Sequence, residues 1–264
     1  AHHNSDISGF GVYPGIDISY RISDYFTLYS SANKTLRMPT FTDMFYKSPV
    51  QQGNPGLKPE EAFTAEGGIK YSNSYLKGNI SSFHRRGYNM IDWVKNTSTD
   101  SIIWRSMNHT RINFTGMEAS LTFTPPQTGP LERIQSATIS YSFLEADSDR
   151  NNMLSKYSLD YLRNQLTAGI DVRIAWKLYG SGRLTWQDRN GVYQDAAGQT
   201  VPYKSFWLSD IKLYWKGNHY TLYTEASNIF NTPYYDFGGI IQPGTWFRGG
   251  IVLDLDYNLS PKSE

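Results

Sequence analysis

The histidines of this sequence are its best candidates for acid–base or metal chemistry, and their spacing forms no catalytic pattern. Two of the five follow the first residue, and His84, His109 and His219 lie on separate segments. The sequence also lacks a Gly-x-Ser-x-Gly nucleophile elbow and a His-Glu-x-x-His zinc motif. We therefore expect no catalysis, no resident metal and no bound cofactor.

Two groups of carboxylates are candidates for functional sites. Glu60 and Glu61 are adjacent, and neighbouring residues of a strand point to opposite faces, so they cannot act together as a general acid and base. The segment EADSDRNN at 145–152 is rich in oxygen ligands and is a candidate Ca²⁺ loop, although it lacks the spacing of an EF-hand. A solvated loop tip is the alternative for this segment.

The composition indicates a surface that carries aromatic rings where soluble proteins carry charges. Aromatic residues make up 15% and charged residues 19%, against about a quarter charged in soluble domains. The net charge of +1 provides no cationic excess, so no nucleic-acid partner is expected. No apolar run approaches the roughly 18 residues of a transmembrane helix. A membrane β-barrel stays open, because its strands need only alternate.

Apolar and polar residues alternate with period two through most of the chain, which predicts about eleven strands. In one run Leu166, Ala168 and Ile170 share a face, and Gln165 and Asp171 share the other. The apolar faces of these runs carry no Asp, Glu, Lys or Arg, as lipid exposure requires. A soluble sandwich would instead bury the same faces between two sheets.

The connections and the aromatic residues favour the barrel over the sandwich. Short turns are expected near Ser23, Asn73, Lys177 and Gly217, and long loops at 39–60, 94–108, 145–157, 189–202 and 231–243. Rings stand at the ends of the apolar faces, namely Tyr20, Tyr71, Phe123, Trp186, Trp207, Trp215 and Tyr257. Alternating turns and loops with two aromatic girdles are typical of an up-and-down membrane barrel. Residues 83–93 alternate poorly and are interpreted as a strand that continues into a loop.

A Pro-rich, aromatic loop between two strands contains the most recognisable motif. It reads LRMPTFTDMFY at 36–46 and GNPGLKPEEAFTAEGGIKY at 53–71. A second motif, ASNIFNTPYYDFGGIIQPGTWFRGGIVLDLDY, lies at 226–257, and RINFTGMEASLTF lies at 111–123. Together these segments resemble the TonB-dependent outer-membrane transporters over essentially the whole chain. Pro55 and Pro59 cannot donate ladder hydrogen bonds, so the motif is expected mainly to end strand pairing and fix the re-entry of the chain.

The resemblance implies an all-β fold, an antiparallel transmembrane β-barrel. Residues 1–257 would be its C-terminal part, about eleven strands of roughly 22, and 258–264 a C-terminal tail. The family's plug domain has no counterpart in this chain, so the N-terminal half of the barrel with its plug is an expected partner, and the TonB complex is another through the plug. Outer-membrane lipid and a surface lipoprotein are further expected partners. The implied location is the outer membrane of a Gram-negative bacterium.

The resemblance also implies active uptake of a scarce, bulky nutrient. NMIDWV at 89–94, followed by WRSMNHTRINFTGMEA at 104–119, favours cobalamin (vitamin B12) as the transported ligand. A ferric-siderophore or haem receptor of the same family is an alternative. From another class, a soluble carbohydrate-binding β-sandwich is a second alternative, since it would also display aromatic residues.

Two sets of residues are expected to carry this function. Ligand contact in the extracellular loops is predicted for aromatic residues, namely Phe41, Phe45, Tyr46, Trp93, Trp104, Tyr193, Tyr235 and Phe237. Contact with the plug inside the barrel is implied for charged residues, namely Arg163, Asp171, Arg173, Arg183, Asp210, Lys212, Glu225, Arg248 and Asp254. Loop packing is the alternative for each aromatic residue, and a solvated polar wall is the alternative for the charged set.

Overall fold

The fold is one antiparallel sheet of eleven long strands, each paired with the next along the chain. The computed structural model describes residues 2–4, 9–96, 102–148, 153–155, 161–195, 197, 199–236 and 239–254. The strands are β1 Gly15–Arg21, β2 Phe26–Arg37, β3 Glu60–Ser72, β4 Leu76–Asn96, β5 Trp104–Phe123, β6 Ile134–Ser148, β7 Tyr161–Ala175, β8 Leu178–Asn190, β9 Phe206–Lys216, β10 Tyr220–Ser227 and β11 Trp246–Leu253. The predicted strand number is confirmed.

Short elements lie in the connections. They comprise the helix α1 Phe41–Phe45 and the strand pairs His2–Asn4 with Gly9–Gly11, Lys47–Ser48 with Gln51–Gln52, Val192–Gln194 with Thr200–Pro202, and Tyr235–Asp236 with Ile240–Ile241. Met153–Ser155 pairs with the far end of β4. Among the described residues, no helix has the length and hydropathy needed to cross a membrane.

The two ends of the sheet differ as the spacing predicted. One end, here called the turn end, has brief connections at 22–25, 73–75, 176–177 and 217–219 and a longer one at 124–133. The other, the loop end, carries the connections 38–59, 97–103, 149–160, 191–205 and 228–245. The outer strands β1 and β11 each have one main-sheet neighbour among the described residues, so this chain alone does not close the barrel.

Strand register separates the apolar and polar side chains onto opposite faces. Ile69, Ile80 and Ala119 oppose one another across β3, β4 and β5, and Glu66 and Glu118 point the other way. The apolar face lies against no other part of the described chain, so Ile211 is 47% exposed and Ile251 is 65% exposed. A sandwich would cover these side chains, and the sandwich alternative therefore fails.

Aromatic pairs mark both ends of the apolar face, as expected of residues at the depth of lipid headgroups. At the turn end, Phe26 and Tyr71 have ring centroids 4.8 Å apart, and Trp176 and Trp215 lie edge to face at 5.2 Å. Towards the loop end, Trp186 and Trp207 are 6.4 Å apart. Tyr257 lies outside the described residues.

The loop predicted at 94–108 was placed too broadly, because β5 begins at Trp104. Residues 83–93 form a strand that extends beyond the apolar band, as predicted, and β4 continues without interruption to Asn96. Its far half pairs with β5 through Val94, opposite Arg105. Ile91, Asp92, Trp93 and Val94 are all buried, and a strand covered on both faces shows no alternation. The strand also exceeds the 9–11 residues or so that cross a bilayer, so its far half lies beyond the apolar band.

Beyond the apolar band, towards the loop end, the outward face carries charged residues. Lys34, Glu61, Arg86 and Arg111 share the face of the apolar residues but stand nearer the loop end. The packed core also lies at this level, and Leu57, Ile91, Trp93, Val94 and Ile112 are among its buried members. The outward face is therefore apolar over the central band and polar above it.

We expect a lysine at position 211 to destabilise the folded barrel. Ile211 lies on the outward face of β9, midway between Trp207 and Trp215. Ile211→Lys should lower the free energy of unfolding by about 2–4 kcal/mol, the cost of a cation near the bilayer midplane. Urea unfolding of the full-length protein in lipid vesicles measures this, and Ile211→Ala is the uncharged control. If the two variants were equally stable, the side chain at position 211 would not face lipid. The neighbouring Lys212 shows that this strand accepts a lysine on its inner face.

Candidate functional site at the loop end and the inner wall

Helix α1 presents three aromatic side chains at the loop end. Its first turn is fixed by a capping box, in which Thr40 Oγ1 accepts from Asp43 N–H and the Asp43 carboxylate accepts from Thr40 N–H. The rings of Phe41 and Phe45 are 5.0 Å apart. Phe41 is 79% exposed, Phe45 51% and Tyr46 45%, so these predicted contact residues form an accessible apolar surface.

A network of charged and polar groups holds the base of this loop to β4; we call it the latch. Arg37 donates two hydrogen bonds of 2.6 Å to the carboxylate of Glu60, which is buried and also accepts from Ile91 N–H at 2.7 Å. Asp43 accepts from Trp93 Nε1 at 3.2 Å and lies 4.0 Å from Arg37. The hydrogen bond to Glu60 raises the pKa of Arg37, so the guanidinium stays charged.

The Gly-Asn-Pro-Gly segment packs against helix α1. Gly53 N–H donates to Tyr46 O at 2.7 Å, and Asn54 N–H donates to Asp43 O at 3.0 Å. A Cβ on Gly53 would lie 2.9 Å from the Met44 carbonyl group, so only glycine fits there without a shift.

The end of the same segment is fixed to β5. The Asn108 side chain accepts from Lys58 N–H at 2.9 Å and donates to Lys58 O at 2.9 Å. Leu57 and Pro59 are buried beside this contact. These contacts support the interpretation of the motif as a scaffold that positions α1.

Trp93 and Trp104 occupy positions unlike those of the other predicted contact residues. Trp93 is 4% exposed, with its ring edge to face against Tyr46 at 6.4 Å. Trp104 is half-buried, and its backbone N–H donates to Val50 O at 2.9 Å. Trp93 thus supports α1 and its last residues from beneath, whereas Trp104 pairs with the short hairpin that follows α1.

A second aromatic cluster lies in the loops that follow β8 and β10. Tyr193 stacks on Tyr235 at 4.9 Å and contacts Tyr203 at 5.0 Å. Arg189 forms an ion pair with Asp236. The structure thus brings two of the predicted contact residues, Tyr193 and Tyr235, into one cluster, and Phe237 lies outside the described residues.

Tyr234 lies beside this cluster, with its ring 4.8 Å from that of Phe206. Burial raises the pKa of Tyr234, and the carboxylates of Asp236 and Asp210 raise it further. Its phenol therefore remains protonated at neutral pH.

Most of the charged residues predicted for the lumen share the inward face of β7 to β11, here called the inner wall. Arg248 pairs with Glu225, and Asp171 accepts hydrogen bonds from Ser136 at 2.8 Å and from Ser181. Asp210 accepts from the backbone N–H of Asn228 at 2.9 Å. The carboxylates of the wall are therefore largely satisfied by the wall itself.

Three of the predicted lumen residues lie at the margins of this wall. Arg173 is 4.0 Å from Glu132 at the turn end, where Asp254 follows β11. Arg163 lies at an irregularity in β7 near the loop end and donates to Asn190 Oδ1 at 3.1 Å. The structure therefore does not bring all nine residues into one site.

Sequence reasoning missed the roles of Arg37, Asp43 and Asn108, which hold the loop in place. The spacing Thr40-x-x-Asp43 before an apolar turn is a capping-box signal that could have identified Asp43. No local signal links Asn108 to Lys58, fifty residues apart in the sequence. Within the described part of the chain no group of three or more His, Cys, Asp or Glu side chains is arranged to hold a metal. Residues 149–152 of the segment 145–152 lie outside the described residues, so the Ca²⁺ loop stays a prediction.

Residues 2–229 match the family described as "TonB dependent receptor-like, beta-barrel". The chain belongs to this family. The sequence-based recognition of the TonB-dependent receptors is confirmed, and so is the antiparallel barrel fold. Barrels of this family are outer-membrane proteins of Gram-negative bacteria that serve as receptors and transporters.

Two related sequences are vitamin B12 transporters named BtuB. The protein of Vibrio vulnificus is 30% identical over 135 residues, which are 51% of this chain and 19% of that protein. The protein of Photobacterium profundum is 24% identical over 226 residues, 82% of this chain and 33% of that protein. The chain thus spans a third or less of the length of these relatives.

Solved TonB-dependent receptors share the fold at low sequence identity. The siderophore receptor PirA from Acinetobacter baumannii superposes with a TM-score of 0.68 at 18% identity, covering 93% of this chain and 41% of that one. The FrpB iron transporter from Neisseria meningitidis (F3-3 variant) gives 0.67 at 17%, covering 90% and 38%. At this identity the likeness concerns the fold alone.

We expect Glu60→Gln to loosen the latch. The neutral amide weakens the hydrogen bonds that Glu60 accepts from Arg37 and Ile91. The free energy needed to open the latch should fall by about 1.5 kcal/mol, the lower end for hydrogen bonds to a charged group, because about half of the Arg37 side chain is exposed. Hydrogen exchange at the Ile91 amide measures this opening directly.

Glu61→Gln is the matched control, because Glu61 points to the other face and pairs with Lys34 at an exposed position. It should cost no more than about 1 kcal/mol and leave Ile91 protected. Equal exchange at Ile91 in both variants would show that Glu60 does not hold the loop.

Proposed function

We propose that this chain is the C-terminal part of the barrel of an outer-membrane receptor that imports a scarce, bulky nutrient with energy from TonB. The observation that carries the proposal is the division of the central band of the sheet into an uncharged outward face and a charged inner wall. A charged interior suits a barrel filled by a folded plug, and an uncharged exterior suits lipid. The N-terminal barrel strands, the plug and, through the plug, the TonB complex are the partners this function requires.

The loop end offers a surface for a bulky, partly apolar ligand. Phe41, Phe45 and Tyr46 are exposed on a helix whose position the latch fixes, and Tyr193 and Tyr235 form a second aromatic group. Aromatic rings provide large contact areas with little loss of rotational freedom on binding. In this proposal Trp93 and Trp104 do not contact the ligand but support the loop residues that do.

Cobalamin is the substrate we favour. Both related sequences described above are vitamin B12 transporters, and one aligns over 82% of this chain. A ferric siderophore is the second candidate, supported by the likeness to the siderophore receptor PirA.

Titration of the full-length receptor with cyanocobalamin and with a panel of ferric siderophores tests the substrate. We expect saturable binding of the corrinoid, and the double variant Phe41→Ala and Phe45→Ala should weaken it about tenfold, since each ring contact contributes roughly 0.5–1.5 kcal/mol.

Phe247→Ala is the control for this titration, because Phe247 is exposed on the outward face of β11 and should not meet the ligand. Binding of a siderophore with no binding of cyanocobalamin would reject cobalamin and favour the second candidate. Absence of binding by every compound would reject both.

A further inference from the structure

The outward face of the sheet contains an apolar groove where β2, β3 and β4 lie side by side. Its floor is formed by Ser30, Gly67 and Ser82, which oppose one another across these strands. Longer apolar side chains border the floor, among them Ile80 and Met117. The groove has a volume of about 650 Å³. The short residues of the floor therefore leave space within a face that otherwise carries long apolar side chains.

The floor of the groove suits an apolar occupant. The Ser30 hydroxyl donates to a carbonyl of β3 at 3.0 Å, and the Ser82 hydroxyl donates to a carbonyl of β5 at 3.2 Å, so both protons are already bonded within the sheet. A Cβ on Gly67 would meet only the Tyr29 carbonyl oxygen, at 3.9 Å. The packing of the sheet therefore does not require glycine at this position.

Two arginines lie on the same face beyond the groove, towards the loop end. Arg86 is four residues after Ser82, which is about 13 Å along a strand. Arg111 opposes Tyr88, and its guanidinium group lies 5.6 Å from the centroid of that ring. Because Arg86 opposes Asn113, the two arginines are diagonal neighbours on β4 and β5, with Cβ atoms about 7–8 Å apart. Both side chains are long enough to reach one anion between them.

The two guanidinium groups are available to such an anion. Both side chains are exposed, and within the described part of the chain neither has a carboxylate within 4.0 Å. The nearest strand that carries acidic residues on this face beside Arg111 is β6, with Glu145 and Asp147, on the side away from the groove. Unpaired cations at the border of an apolar band lie at the depth of lipid headgroups, where they attract negative charge.

We infer that the groove, together with Arg86 and Arg111, binds a single lipid with an anionic, phosphate-bearing headgroup. An acyl chain of the lipid occupies the groove, and the phosphate oxygens accept hydrogen bonds from the two guanidinium groups. Paired N–H donors make arginine well suited to phosphate. The inference goes beyond the proposed function, because it uses the lipid exposure of the outward face and not the identity of the nutrient.

A lipid fits these features better than a second copy of the chain. Two copies in one membrane are related by an axis along the membrane normal, so a contact centred on the groove would place the arginines of both copies at the same level. Their like charges would then repel each other. An anionic headgroup instead neutralises them.

Native mass spectrometry of the full-length receptor in detergent micelles tests the site. The receptor is titrated with phosphatidylglycerol and with phosphatidylcholine of the same acyl chains, in which the choline cation offsets the phosphate charge. We expect one retained phosphatidylglycerol, bound about tenfold more tightly than phosphatidylcholine. Equal retention of the two lipids, or displacement of phosphatidylglycerol by inorganic phosphate, would overturn the inference.

The double variant Arg86→Gln and Arg111→Gln tests the headgroup contact. It should weaken phosphatidylglycerol binding about tenfold and abolish the preference over phosphatidylcholine. Lys177→Gln is the control, since its ammonium group bonds Asn218 in an exposed turn at the other end of the sheet. If the double variant and this control retained phosphatidylglycerol equally, the arginines would not bind the headgroup.

Gly67→Leu tests the acyl-chain contact, because the new side chain fills the groove and the sheet has room for its Cβ. Binding of both lipids should weaken roughly tenfold while the preference between them stays the same. The matched control is Gly182→Leu, on the outward face of β8, where a Cβ would lie 3.8 Å from the Ile170 side chain. Equal lipid binding by these two variants would reject the groove as the site of the chain.

The same measurements separate this inference from the proposed function. A mass of two receptor chains that Gly67→Leu converts to one, with no lipid retained, would make a second copy the occupant and overturn the lipid site. Titration with cyanocobalamin and ferric siderophores should give the same result for the double arginine variant as for the unmodified receptor. A receptor that retains the lipid but binds none of these nutrients would reject the proposed function alone.

Discussion

The absence of water from the hydrocarbon layer is the constraint on which the rest of this structure depends. Backbone N–H and C=O groups there must bond to neighbouring strands, and charged side chains must turn inward. The strands β2 to β10, which have a neighbour on each side, meet both conditions over the central band, where Ile80, Ile139 and Ile211 face outward and Glu118, Asp171 and Lys212 face inward. The inner wall is charged because the outer face cannot be.

Above that band the constraint is lifted, and the chain changes its pattern. The far halves of β4 and β5 carry Arg86 and Arg111 on the outward face and bury Ile91 and Ile112 beneath the loops. This is where the protein builds an ordinary packed core, held by the latch between Arg37, Glu60 and Asp43. An ordered core at this level lets loops in water present aromatic residues in a fixed arrangement.

Much of the fold could be predicted from the sequence because lipid imposes a strict period of two, as in Leu166, Ala168 and Ile170 of β7. The same rule failed at 91–94, where both faces are buried and the alternation disappears. The motif at 53–60 identified the family, but the partner of Trp93 could not be predicted, because Asp43 lies fifty residues away in the sequence. Ring type alone also could not separate exposed Phe41 from buried Trp93, since both follow polar residues near strand ends.

Glu60 and Glu61 are neighbours whose side chains belong to different environments, one pairing with Arg37 on the inner side and one with Lys34 on the outer side. Together they set the phase of all of β3. A single residue inserted between Asn54 and Glu60 would leave both pairs intact only if the loop absorbed it. If the strand slipped instead, Glu66 would turn into the membrane and Ile69 into the lumen. The length of the short segment from Pro55 to Pro59 therefore determines on which face of the barrel wall each later side chain of β3 lies.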